Sequence, residues 1–222
     1  MTLECVERET GPDPRRAVIW LHGLGADGND FVPILPQLVR REWPPLRFVF
    51  PHAPIRPITV NGGMPMRAWY DIGGFDLSQK QDEPGIRASI AEVEKLIARE
   101  VERGVAASNV VLAGFSQGGA IALAAGLRHA QTLAAVVALS TYLPIAEATA
   151  GERGAANAAT PIFMAHGAFD PVVQQYLGER SRDRLREWGY NVDWHSYPMA
   201  HQVCPPEIAD LADFLESRLG QV

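Results

Sequence analysis

Residues 109–123, NVVLAGFSQGGAIAL, decide the fold. A mostly apolar, β-rich run enters Gly-Phe-Ser-Gln-Gly-Gly, and a small-residue helical pattern leaves it. A serine that merely capped a helix would need no glycines on both sides. In a G-x-S-x-G reversal the turn is so tight that the serine is held at an unusual backbone geometry, and small flanking residues let strand and helix approach each other. Gly114 and Gly118 fill those positions. The stretch therefore predicts a strand, a sharp turn at Ser116 and a helix from Gln117, with the helix's first N–H groups aimed where an oxyanion would form.

Outward from this unit the same alternation recurs. The runs 17–21 (AVIWL), 47–50 (RFVF), 133–140 (LAAVVALS), 161–167 (PIFMAHG) and 192–197 (VDWHSY) are short and mostly apolar on both faces, as strands covered on both sides of a parallel sheet would be. Helical patterns lie between them at 29–41, 84–103, 117–129, 174–188 and 206–219. In the second, Ile86, Ile90, Val93, Leu96, Ile97 and Val101 recur at three- and four-residue steps. The pattern predicts one α/β domain over residues 1–222, a sandwich around a mostly parallel sheet, with function in the loops that follow the strands. Two segments fit neither pattern: 51–83, rich in Pro and Gly, and 144–160, rich in Ala and Gly. The first has the length of a functional cover.

A hydroxyl is a poor nucleophile at neutral pH and needs a base, itself oriented by a third group. In this fold the order is Ser, then Asp or Glu, then His. After Ser116 the histidines are His129, His166, His195 and His201. His129 ends the helix that starts at the nucleophile, His195 lies inside a strand, and His166 reads as a core histidine bonded to the backbone near Asp170. His201 sits in a loop between the last strand and the last helix. Asp170 lies just past a strand end, whereas Asp193 and Asp183 read as solvated charges. Ser116, Asp170 and His201 are thus the expected triad. The turn at 21–31 (LHGLGADGNDF) follows an earlier strand, so Leu24 and Gln117 are the expected oxyanion N–H donors. Asp27, Asn29 and Asp30 lack the EF-hand spacing, and no metal site is expected.

The bulk numbers exclude several functions. The chain has 222 residues, 47% hydrophobic and 21% charged, with a net charge of −6. It lacks a basic cluster to neutralise phosphates, so nucleic acid is not an expected partner. Cys5 and Cys204 make neither a disulfide framework nor a thiolate metal site. The amino terminus has no basic-then-apolar leader and no run approaches a membrane span, which predicts a cytoplasmic protein without stable membrane insertion. Transient contact with a membrane surface or partner through an apolar loop around 64–77 is compatible with this.

LHGLGADGNDF (21–31), RAWYDI (67–72), GFSQGGAIAL (114–123), LSTYLP (139–144), HGAFDPVV (166–173) and MAHQV (199–203) resemble, in order and spacing, the phospholipase/carboxylesterase family of α/β-hydrolases, which includes bacterial carboxylesterases and acyl-protein thioesterases. The resemblance covers nearly the whole chain. It implies an α/β-hydrolase without a large cap domain, working without a cofactor on a small or lipid-like acyl ester, as a monomer or homodimer. It assigns the same triad and oxyanion donors, and makes Ile72 and Phe75 contacts to the acyl group. The expected activity is a carboxylesterase, with acyl-protein thioesterase or lysophospholipase as the alternative, and a non-catalytic binding protein of the same fold as a remote one.

Overall fold

The computed structural model describes residues 3–74 and 81–219. Its strands are β1 (Cys5–Glu9), β2 (Arg16–Leu21), β3 (Leu46–Pro51), β4 (Ile55–Ile58), β5 (Met64–Arg67), β6 (Val110–Phe115), β7 (Ala135–Leu139), β8 (Ile162–Gly167) and β9 (Val192–Tyr197). Its α-helices are α1 (Leu35–Leu38), α2 (Glu83–Glu102), α3 (Gln117–Gly126), α4 (Ala146–Glu152), α5 (Gln175–Glu187) and α6 (Pro205–Leu219). A seven-stranded sheet runs in the order β1-β3-β2-β6-β7-β8-β9. β1 is antiparallel to β3, and every other neighbouring pair in that sheet is parallel. This is the α/β sandwich with a mostly parallel sheet that the alternation of apolar strands and amphipathic helices predicts.

Side-chain alternation along each strand divides the interior into two layers. On β2, Val18 and Trp20 face one layer, which holds Ile208, Leu211, Phe214 and Leu215 of α6. Ala17, Ile19 and Leu21 face the other, with Ile86, Val93, Leu96 and Ile97 of α2 and the alanines of α3. Farther along the sheet, Leu185 of α5 covers Ile162, Met164 and Val192. The strands are hydrophobic on both faces because helices cover both.

Three expectations about elements change. The helix expected at 29–41 shrinks to a 3-10 turn at Val32–Ile34 followed by α1. Pro33 and Pro36 lack N–H groups and disfavour helical backbone before them, so a long helix cannot form. The unassigned 51–83 stretch contains the hairpin β4–β5, with Ile55 opposite Arg67 and Pro57 opposite Pro65. Its prolines are tolerated because the two strands form a sheet of their own. The 144–160 stretch holds α4, whose alanines favour helix without marking a face. Among the described residues no helix is long and apolar enough to cross a membrane.

Candidate functional site

The turn between β6 and α3 has the geometry the glycines predict. Ser116 sits at φ 55°, ψ −121°, a strained conformation for a residue with a side chain. A Cβ on Gly114 would stand 2.4 Å from the Gly118 carbonyl, and one on Gly118 would stand 2.3 Å from the Leu21 carbonyl oxygen. Strand, helix and the end of β2 therefore meet backbone to backbone at the serine. The Ser116 N–H donates to Leu139 O at 2.8 Å, and Thr141 Oγ1 donates to Ser116 O at 2.6 Å, which fastens the turn from β7.

Ser116, Asp170 and His201 follow β6, β8 and β9 at their carboxyl ends, and the structure brings the three together. Ser116 Oγ–H donates to His201 Nε2 at 2.9 Å, and His201 Nδ1–H donates to Asp170 Oδ2 at 2.6 Å. The Asp170 side chain is fully buried. Burial pushes its carboxyl upward. The hydrogen bond and charge of His201, with the N–H groups of Val172 and Val173 on Oδ1, outweigh that and hold it below the ordinary carboxylate range. The Phe115 ring lies 4.7 Å from the His201 ring at 45°, which restricts its rotation.

The loops carrying Asp170 and His201 are pressed together by a glycine. A Cβ on Gly167 would stand 2.3 Å from Ala200 O. Ala168 N–H donates to Tyr197 O at 2.8 Å and Phe169 N–H to Met199 O at 3.0 Å, which extends the β8–β9 pairing into both loops. His166, fully buried, donates Nε2–H to Val173 O at 2.7 Å; burial lowers its pKa, so it stands as the neutral core histidine expected. His129 pairs with Glu94 at 2.8 Å, and His195 lies on β9 beside Asp193 at 3.0 Å.

Gln117 opens α3, so its N–H has no partner earlier in the helix. Leu24 lies in the turn after β2. His22 shapes that turn: its Nδ1–H donates to Gly23 O at 2.7 Å while Nε2 accepts from Ala53 N–H at 3.1 Å, and burial keeps the ring neutral. Gly25 N–H donates to Arg67 O at 2.9 Å. Ile72 is half-buried and packs against the layer formed by Trp69, Tyr70 and Ile86. Phe75 lies outside the described residues. Among those residues no group of three His, Cys, Asp or Glu side chains is placed to hold a metal ion.

Sequence reading passed over four contributors. Phe115 and Gly167 stand beside residues it selected, and the Gly after His166 was a usable signal of close loop contact. Trp69 and Gln117 lie in motifs, but what their side chains touch was not legible, because the partners lie some 47 residues away in the chain. Together the side chains of Ser116, His201 and Asp170 form a hydrogen-bonded relay through which the Ser116 hydroxyl proton can pass to His201.

The sequence profile of a family described as Phospholipase/Carboxylesterase matches residues 3–219. The chain is 44% identical over 214 residues to acyl-protein thioesterase 1 of Neurospora crassa, an alignment covering 92% of this chain and 87% of the relative. It is 41% identical over 228 residues to acyl-protein thioesterase 1 of Mycosarcoma maydis, covering 95% and 94%. The crystal structure of Arabidopsis thaliana SOBER1 superposes with a TM-score of 0.88 at 31% identity, covering 92% of this chain and 99% of that one.

Proposed function

The chain belongs to the phospholipase/carboxylesterase family of α/β-hydrolases, and from that premise we propose that it is a serine hydrolase that releases acyl groups from thioesters of S-acylated proteins, with carboxylic esters as a second substrate class. Ser116 attacks the acyl carbonyl while His201 takes its proton. Asp170 fixes the imidazole tautomer and stabilises its charged form. The N–H groups of Leu24 and Gln117 bind the oxyanion, His201 returns the proton to the leaving thiolate or alkoxide, and it then activates water to hydrolyse the acyl-enzyme. The proposed chemistry uses these side chains, two backbone donors and water.

One observation carries this reading: the continuous hydrogen-bonded chain from Ser116 through His201 to a buried Asp170, at 2.9 and 2.6 Å. The names of the relatives at 44% and 41% identity favour the thioesterase alternative over the carboxylesterase reading reached from sequence. The test compares hydrolysis of an S-palmitoylated peptide with p-nitrophenyl esters of rising acyl length, for the wild type and Ser116→Ala. Expected are turnover of the thioester and a loss of roughly 10⁴-fold or more in the variant. Turnover of short esters with none of the thioester would return the protein to the carboxylesterase reading, and an active Ser116→Ala would end the serine mechanism.

A further inference from the structure

The reaction proposed above requires two N–H donors from separate loops at a fixed spacing, and neither loop sets that spacing alone. Leu24 follows β2 and Gln117 opens α3. Between them runs the segment 67–70, and its hydrogen bonds reach both. Gln117 Oε1 accepts from Trp69 N–H at 2.8 Å, and Gln117 Nε2 donates to Tyr70 O at 2.7 Å. This side-chain amide pairs with the segment as a neighbouring strand would. Trp69 Nε1–H then donates to His22 O at 2.9 Å, and Arg67 O accepts from Gly25 N–H at 2.9 Å. The segment therefore holds the turn on both flanks of Leu24, two residues before it and one after.

We propose that Trp69 and the side chain of Gln117 form a brace that sets the separation of the two oxyanion donors, which makes both of them positioning residues for the reaction. The inference rests on the reading of Leu24 and Gln117 as those donors. Trp69 is fully buried, and Ser89 Oγ on α2 donates to its carbonyl, so the brace is anchored to the core behind it. Every polar group of Trp69, backbone and indole, has a specific partner. The brace also explains why position 117 bears a glutamine. Its oxyanion contribution comes from the main chain and any residue but proline could supply it, whereas a side chain that both accepts and donates is needed to satisfy Trp69 N–H and Tyr70 O in a buried setting.

The test uses Trp69→Phe, which keeps an aromatic ring but loses the indole N–H together with the volume of the second ring, Gln117→Met, which keeps the backbone donor and the approximate volume, and the double variant. Kcat and KM are measured on p-nitrophenyl butyrate, and hydrogen exchange is followed at residues 22–26. Displacing an oxyanion donor by a fraction of an ångström to an ångström costs about 10- to 100-fold. Each single variant is expected to lose that much kcat with KM within about twofold, the double to be no slower than about the worse single, and exchange at 22–26 to accelerate in both. Losses that multiply in the double variant, a change confined to KM, or unaltered exchange at 22–26 would overturn the brace. If Gln117→Met does not fold, Trp69→Phe alone decides through the kcat and exchange readouts. A wild-type chain that hydrolyses neither ester nor thioester would remove the proposed function, and the exchange readout would still decide whether the brace holds the Leu24 turn.

Discussion

At the scale of single residues, the site depends on side chains whose freedom has been removed by neighbours. Asp170 accepts hydrogen bonds on both carboxylate oxygens, two on Oδ1 from backbone and one on Oδ2 from His201. Asp170→Asn keeps an oxygen for the backbone pair and presents an N–H₂ to His201, which then carries its proton on the wrong nitrogen. Kcat is expected to fall roughly 10³- to 10⁴-fold while the melting temperature changes little, as steady-state kinetics and thermal denaturation will report. The serine and its two partners were legible in sequence because chain order and strand-end position narrow four histidines to one. Contacts such as Phe115 on His201 were not, because the apolar periodicity that reveals a core says nothing about which ring touches which. Ile72, expected from its motif to meet the acyl group, is half-buried and packs against the layer that includes Trp69 and Tyr70.

At the scale of elements, the β6–α3 unit is fixed by absent side chains. A methyl on Gly118 would stand 2.3 Å from Leu21 O and 2.5 Å from His22 O, both backbone atoms that cannot swing aside. Gly118→Ala is expected to push α3 away from the end of β2, destabilise the protein by about 2 kcal/mol or more and lower kcat together with stability. Urea denaturation with assays on the same samples checks both; a variant of native stability and rate would contradict the close packing. Elements with strong apolar periodicity were legible, to within a residue or two at β2, β3, β6, β8, β9 and α2. β1 was not, because CVERE carries the charges of an edge strand with one neighbour rather than the pattern of a covered one. The β4–β5 hairpin was hidden by Pro57 and Pro65, which argue against strand wherever a sheet surrounds them.

At the scale of the whole molecule, three buried groups oppose one another as pH changes. His22 and His166 have pKa values lowered by burial, so the unfolded chain takes up their protons first, and their contribution is complete above about pH 6.5 and lost as pH falls below it. Glu207, at the start of α6 and bonded to Cys204 N–H at 3.3 Å, is pushed by burial up to about 8. It stays protonated in the fold while the unfolded chain ionises, so its contribution diminishes as pH rises from about 4.5 to 8. The two histidines therefore cost stability as pH falls below about 6.5, whereas Glu207 costs it as pH rises from about 4.5 towards 8, at up to about 1.4 kcal/mol per pH unit. Glu207→Gln is expected to abolish the alkaline decline and leave the acid one, as urea denaturation from pH 5 to 8 will show; an unchanged alkaline limb would mean that Glu207 is ionised in the fold. Asp170 remains ionised across this range and does not alter the balance. The mostly parallel sheet, its cover of helices and the core histidine at 166 followed from sequence pattern, whereas the burial of His22 and Glu207 did not, since it is a property of the assembled layers. The link from Arg67 and Trp69 to the turn around Leu24 also bears on engineering. A loop transplanted across 55–74 would bring its own grip on that turn, so any change made to the one would be inherited by the other.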